Sequence, residues 1–196
     1  QCTGGPFTKV SFTSSFYGIY LSALNANASS IQGNTIRNFS WTNSAAANWT
    51  GIYVGGSGAV NIGNITGNTI GSATGTGSIF VDNGNTYNVE IVGIKHEGAG
   101  TGLIRNNTIG SITSGHASAF SASIYGILKS AGVGAVTISD NNIGSAVTAN
   151  SINATSVSNS NAQLVYGICN TTSAACTISG NTIGNLTNAC STTGTV

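Results

Sequence analysis

Ile31-Gln32-Gly33-Asn34-Thr35-Ile36 is a phrase this chain writes five times. It returns as Ile65-Thr66-Gly67-Asn68-Thr69-Ile70, Ile104-Arg105-Asn106-Asn107-Thr108-Ile109, Ile138-Ser139-Asp140-Asn141-Asn142-Ile143 and Ile178-Ser179-Gly180-Asn181-Thr182-Ile183. A second phrase keeps step with it: Tyr17-Gly18-Ile19, Thr50-Gly51-Ile52, Val92-Gly93-Ile94, Tyr125-Gly126-Ile127 and Tyr166-Gly167-Ile168. Successive phrase asparagines lie 34, 39, 34 and 40 residues apart. Self-similarity at a period of roughly 20–50 residues marks a stack of units, none of which can bury its apolar face alone.

Strand is the element these residues favour. β-Branched Ile, Val and Thr alternate with Gly, Asn and Ser, which suit strands and turns and interrupt helices. Asn and the Ile two residues on share one face of an extended segment, whereas the Ile three residues before Asn faces the other way. A corner near the Gly or Asn brings both inward. Each phrase therefore predicts a strand, a corner and another strand, and the Gly-Ile phrase begins a third.

Stacking at about 4.8 Å per strand then puts like residues over like. The expected core columns are Ile31, Ile65, Ile104, Ile138 and Ile178; Ile36, Ile70, Ile109, Ile143 and Ile183; and Ile19, Ile52, Ile94, Ile127 and Ile168. Asn34, Asn68, Asn107, Asn141 and Asn181 are expected to form a structural ladder of amides at the corner, as asparagines do in other strand stacks. The organisation expected is a single β-solenoid domain over residues 1–196, with an N-terminal edge strand at 1–16, five repeats over 17–187 and a tail at 188–196.

These phrases resemble the parallel β-helix repeats of pectin-lyase-like proteins. They are more closely similar to the Asn-Thr-Ile-Gly repeats of large secreted surface proteins of Bacteroidota-type bacteria. The resemblance implies a right-handed parallel β-helix outside the cell, within an adhesin or surface-layer polypeptide. Right-handed crossovers also predominate between parallel strands. The fold expected is thus all-β, a right-handed β-helix of about five coils with 34–40 residues per repeat.

Composition narrows function mainly by exclusion. Five basic and four acidic residues with a net charge of +1 leave no electrostatic footprint for nucleic acid or an anionic membrane. No run of about 18 apolar residues spans a bilayer. The 28 glycines follow no Gly-X-Y period, which excludes collagen. A chain opening at Gln1 without Met reads as processed or excised. Cys2, Cys169, Cys176 and Cys190 are an even set without a Cys-x-x-Cys pair, a disulfide pattern rather than a zinc one, and favour an oxidising, extracellular location. Four cysteines allow three connectivities; Cys169 with Cys176 is the most local, while Cys2 and Cys190 lie at opposite ends.

The extra length of the longer repeats falls within residues 71–92 and 144–165, and such insertions map to loops on one face of a solenoid. Phe80, Asp82, Tyr87 and Glu90 are the candidate binding residues of the first. Asp82 with Glu90, and Lys95 with Glu97, are the local charge groups; Asp140 sits in the ladder corner. His96 and His116 stand alone, without a metal-ligating set, so no cofactor, metal or catalytic residue is assigned. Sequons at Asn27, Asn38, Asn48, Asn64, Asn106, Asn153, Asn170 and Asn185 are candidate glycosylation positions, at about the frequency this composition gives by chance.

The leading functional expectation is an extracellular structural subunit. It would assemble head to tail with copies of itself, or with neighbouring repeats of a longer chain, through ends that lack helical caps. A carbohydrate-binding adhesin segment is the alternative. An enzyme acting on polysaccharides and an ice-binding solenoid with a Thr column rank below both.

Overall fold

The two phrases fold as complementary halves of one core. In the computed structural model, which describes residues 7–10, 14–24, 27–43, 46–83, 87–115, 120–156 and 161–190, every described element is a β-strand and every strand pairing is parallel. Four sheets form, and the chain visits them in a fixed rotation. It is a parallel β-solenoid.

Sheet 1 contains Phe7–Val10, Phe39–Asn43, Ile79–Asn83, Ile112–Gly115, Ile152–Ala154 and Leu186–Asn188. Sheet 2 contains Phe16–Ala23, Trp49–Gly56, Val89–His96, Ala122–Lys129 and Val165–Asn170. Sheet 3 is Ser29–Ile31, Val60–Ile62, Gly102–Arg105, Val136–Ser139 and Cys176–Ser179, and sheet 4 is Thr35–Ile36, Thr69–Gly71, Thr108–Gly110, Asn142–Gly144 and Thr182–Gly184. Each turn of the chain thus uses four walls, where the phrases alone predict three. The fourth, sheet 1, carries its own inward column of Phe39, Ile79, Ile112, Ile152 and Leu186.

Sheets 2 and 4 lock together through the glycine of the Gly-Ile phrase. A Cβ at Gly93 would lie 2.7 Å from Ile109 Cγ2, and at Gly126 it would lie 2.6 Å from Ile143 Cγ2. Gly18 faces Ile36, Gly51 faces Ile70 and Gly167 faces Ile183 in the same way. The glycine is therefore a notch, and the second isoleucine of the Asn phrase is the tooth that fills it. Close packing of this kind leaves no room for an extra methyl group.

At the corner between sheets 3 and 4 the residue before the ladder asparagine adopts a left-handed conformation in four of the five coils, at Gly33 (φ 63), Asn106 (φ 58), Asp140 (φ 56) and Gly180 (φ 64). In the second coil, with its longer corner, the left-handed residue is Gly63 (φ 77). Gly, Asn and Asp are the residues that tolerate it, which explains the otherwise variable position before Asn. Behind it the amides bond in series. The Asn68 Nδ2 donates to Asn107 Oδ1 at 2.9 Å and its backbone N–H to the same oxygen at 3.0 Å. Asn34 does this to Asn68, Asn107 to Asn141 and Asn141 to Asn181. The spare Nδ2 protons reach carbonyls such as those of Ile31, Ile62, Ile104 and Ile138, so the buried amides are satisfied.

Two sets of expected core residues require correction. Ile65 does not occupy the inward column. Ile62 pairs with Ile31 and Ile104 instead, while Ile65 is 81% exposed. Between Ile62 and Asn68 the corner holds three more residues than between Ile31 and Asn34, and they bulge outward under the Gln32 side chain. Its Oε1 accepts from the Ile65 and Thr66 N–H groups, and its Nε2 donates to Asn64 Oδ1. Ile178 and Ile183 keep the register of Ile138 and Ile143 but are 52% and 49% exposed, because they lie on the last strands of sheets 3 and 4.

Candidate functional site

In sheet 2 the residue before the Gly and the residue after the Ile both point away from the core, so two outer columns cross its five strands. Tyr17, Thr50, Val92, Tyr125 and Tyr166 align in one; Tyr20, Tyr53, Lys95, Leu128 and Cys169 align in the other. Tyr20 and Tyr53 stack with centroids 4.8 Å apart, and Tyr17 meets both edge-on. Tyr125 and Tyr166 stack at 5.6 Å. Val92, Tyr125 and Leu128 form a second apolar cluster, outside the main core, with Cys169 against it.

Three of the nine charged residues of the chain meet on this face. Lys95 Nζ lies 3.3 Å from Glu90 Oε2 and 3.1 Å from Glu97 Oε1. Glu97 also accepts hydrogen bonds from Tyr53 Oη at 2.9 Å and Ser130 Oγ at 2.8 Å. Burial pulls the Glu97 pKa upward, but the bonds from Ser130, Lys95 and Tyr53 outweigh it and hold the pKa below its usual value. Burial works against the Lys95 ammonium as well, and the two carboxylates more than offset it. Burial and Glu97 push the Tyr53 phenol up to about 12. Glu97 is thus fully engaged, whereas among the described residues the Glu90 carboxylate pairs with Lys95 through Oε2.

Glu90 also borders a cleft of about 350 Å³ at the corner of sheets 1 and 2, lined by Asn48, Asn88, Val89, Glu90, Ser121, Ser123 and Tyr125. Asn48 Oδ1 accepts the Glu90 N–H at 2.9 Å, and Asn88 Oδ1 accepts from the Ser121 N–H and Oγ. Ser123 Oγ accepts from the Leu164 N–H, which leaves its own proton to donate. The cleft offers a carboxylate and a hydroxyl, with Tyr125, 8% exposed, in its wall. Polar groups of this kind around an aromatic ring suit a hydroxyl-rich ligand.

Behind the wall stands a buried lysine–histidine pair. Lys129 is 1% exposed and His96 likewise 1%, both turned inward. The ammonium donates to Gly98 O at 3.0 Å and to Ala131 O, and lies 3.3 Å from His96 Nδ1. Burial and the Lys129 charge push the His96 pKa down to about 4, and burial lowers that of Lys129. Neutral His96 accepts at Nδ1 and carries its proton on Nε2, which has no hydrogen-bond partner.

Phe80, Asp82, Tyr87 and Glu90 do not form a loop site. Phe80 and Asp82 lie on a strand of sheet 1, Glu90 on a strand of sheet 2 and Tyr87 at the corner between them; only Glu90 lines the cleft. The extra length resides in residues 72–78 and 145–151. These two loops lean together over the short Gly110-Ser111 turn, with the Gly75 N–H donating to Thr148 Oγ1 at 3.3 Å. Beside the second loop is a shallow groove of about 250 Å³, against Thr108, Asn142 and Thr182 of sheet 4.

Cys169 and Cys176 are thiols and not a disulfide. Cys169 faces outward beside Leu128 while Cys176 packs against the inner core, so the wall separates them; Cys2 and His116 lie outside the described residues. Among the sequons, Asn27, Asn38, Asn106 and Asn185 are exposed. Asn48 and Asn64 are engaged through their oxygens by Glu90 and Gln32, Asn170 Oδ1 binds the Thr172 N–H and hydroxyl, and Asn153 Oδ1 is buried. No protein-family model, curated protein or solved structure matches the chain.

Proposed function

We propose that this chain is a carbohydrate-binding β-solenoid segment of an extracellular surface protein, and that the outer face of sheet 2 holds the glycan. The observation that carries the proposal is the continuity of the tyrosine columns with the Glu90 cleft. Flat aromatic faces stack on sugar rings, while the carboxylate and serine hydroxyl satisfy sugar hydroxyls. In the same proposal the coils, about five, wind right-handed, as crossovers between parallel strands do.

Binding fits this arrangement better than hydrolysis. A glycosidase needs one carboxyl group held protonated beside another that is ionised. Here Lys95 bridges Glu90 and Glu97, and the Glu97 pKa is lowered rather than raised.

A glycan array probed with the purified chain tests the proposal. Hits should be lost in a Tyr20→Ala, Tyr166→Ala double variant, since one stacked ring contributes about 1 kcal/mol, or several-fold in affinity. An array without hits, or hits untouched by both substitutions, overturns it.

The structural reading stands second, on the half-exposed Ile178 and Ile183, which a further coil or a second copy would cover. Sedimentation velocity separates the two readings: concentration-dependent growth favours end-to-end assembly, whereas a fixed monomer argues against it.

A further inference from the structure

We infer that the glycan taken by this face carries free amines, as a chain of 2-amino sugars does, and that Glu90 selects it. The inference rests on the carbohydrate reading above and deepens it.

Charge is the first argument. Glu90 and Glu97 face outward with Lys95 as their shared counter-ion, so the trio carries one net negative charge at neutral pH. The other cation of this sheet does not reach the outer face: Lys129 is 1% exposed and spends its protons on the carbonyls of Gly98 and Ala131. An anionic sugar entering the cleft would meet a carboxylate and no uncommitted cation. An ammonium would meet that same carboxylate as a counter-ion.

Geometry is the second. Glu97 is saturated by Lys95, Tyr53 and Ser130, whereas Glu90 lines the cleft with Lys95 on its Oε2. Its second oxygen is the acceptor on offer. Tyr125, 8% exposed and stacked on Tyr166, borders the same cleft as its apolar wall. A carboxylate at the cleft matches an ammonium on a sugar better than the hydroxyl of a neutral one, because the bond is charge-assisted on both sides. Asn48 fixes the position of Glu90 by accepting its N–H.

Calorimetry with three soluble tetramers provides the test: a fully deacetylated glucosamine oligomer, its N-acetylated counterpart and an oligogalacturonate. The deacetylated oligomer should bind about tenfold more tightly than the acetylated one, the worth of one charge-assisted hydrogen bond, and should weaken as salt is raised. The oligogalacturonate should bind weakest. Glu90→Gln, which keeps shape and removes charge, should erase the preference, so that the deacetylated and acetylated oligomers bind it equally. Circular dichroism checks that it folds. Should it fail to fold, the salt dependence of the wild-type preference decides in its place. Equal binding of both amino-sugar oligomers, or tighter binding of the uronate, overturns the inference and leaves the carbohydrate reading intact. Absence of binding to all three, together with an empty array, overturns both.

Discussion

Asn107 makes five polar contacts through one side chain, its two Nδ2 protons shared among three acceptors. Its Oδ1 accepts the Asn68 Nδ2 and N–H, and its Nδ2 meets the carbonyls of Ile62 and Arg105 and the Asn141 Oδ1. Removing one partner of a buried pair costs the desolvation of what remains, about 1–3 kcal/mol for each stranded group. Asn107→Ala should therefore destabilise the chain by about 3 kcal/mol or more in urea unfolding, and Asn34→Ala, at the edge of the ladder, by about 1 kcal/mol. Equal losses at both positions would argue against a buried ladder as the cause. His96 makes a different demand. The unfolded chain takes up a proton there near pH 6.5, the folded chain only near pH 4. The unfolded state binds more protons in that window, so stability falls as pH drops through it, by up to about 3 kcal/mol. Glu97, whose folded pKa is lowered, loses its stabilising contribution as acid protonates it, in the same direction. Thermal midpoints measured from pH 7 to pH 4 should decline, and His96→Gln, which keeps an acceptor for Lys129, should flatten the decline.

At the scale of elements, the notch between sheets 2 and 4 separates two kinds of glycine. A Cβ at Gly93 would meet the Gly126 carbonyl oxygen at 2.5 Å as well as Ile109, while at Gly167 only side-chain atoms of Ile183 are close. Gly93→Ala should cost about 1–3 kcal/mol with no rescue by Ile109→Ala, because the backbone clash remains. Gly167→Ala should be partly rescued by Ile183→Ala, and a double-mutant cycle reads the difference as coupling. The two loops make a second element-scale prediction. Deleting residues 146–151 recreates the Ile-Gly-Ser-Ile turn already present at 109–112. The variant should keep its strand signal in circular dichroism, since surface loops tolerate length changes. The strand columns of sheets 2, 3 and 4 were legible because their isoleucines recur at fixed offsets from Gly or Asn. Sheet 1 was not: its inward residues follow the second isoleucine of the phrase by three positions at Phe39, Ile112 and Leu186 but by nine at Ile79 and Ile152. A phrase match likewise pointed to Ile65, because identity of letters cannot reveal that three residues bulge out and hand the inward position to Ile62.

For the whole molecule, the outer face of sheet 2 shows what a repeat leaves open. The inward positions of each strand are dictated by packing, so they recur; the outward positions answer to solvent, so they drift from Tyr to Thr, Val or Lys. Strand alternation does not place Tyr17 and Tyr20 on one side, because residues three apart on a regular strand face opposite ways. The alternation breaks at the notch glycine, and Tyr17, Tyr20, Tyr53, Lys95, Tyr125 and Tyr166 come to share the outer face only in the fold. Their convergence with Glu90, Glu97 and Ser130 was not readable, because it depends on which residues 33 to 42 positions apart are brought side by side by the register. The chemistry thus follows from stacking rather than from any local motif.

The asparagine ladder also has a direction. Every rung donates toward the C-terminal neighbour and accepts from the N-terminal one, so the column is a vector and not a mirror. By that pattern Asn34 turns an oxygen toward one end and Asn181 an N–H toward the other. Any coil added to either end, from the same chain or another copy, continues the column only if it runs in the same sense. Two molecules meeting through like ends would set oxygen against oxygen or proton against proton. Growth of such a stack is polar, like that of an actin or tubulin fibre, and a two-fold dimer closed through its ends is disfavoured from the start.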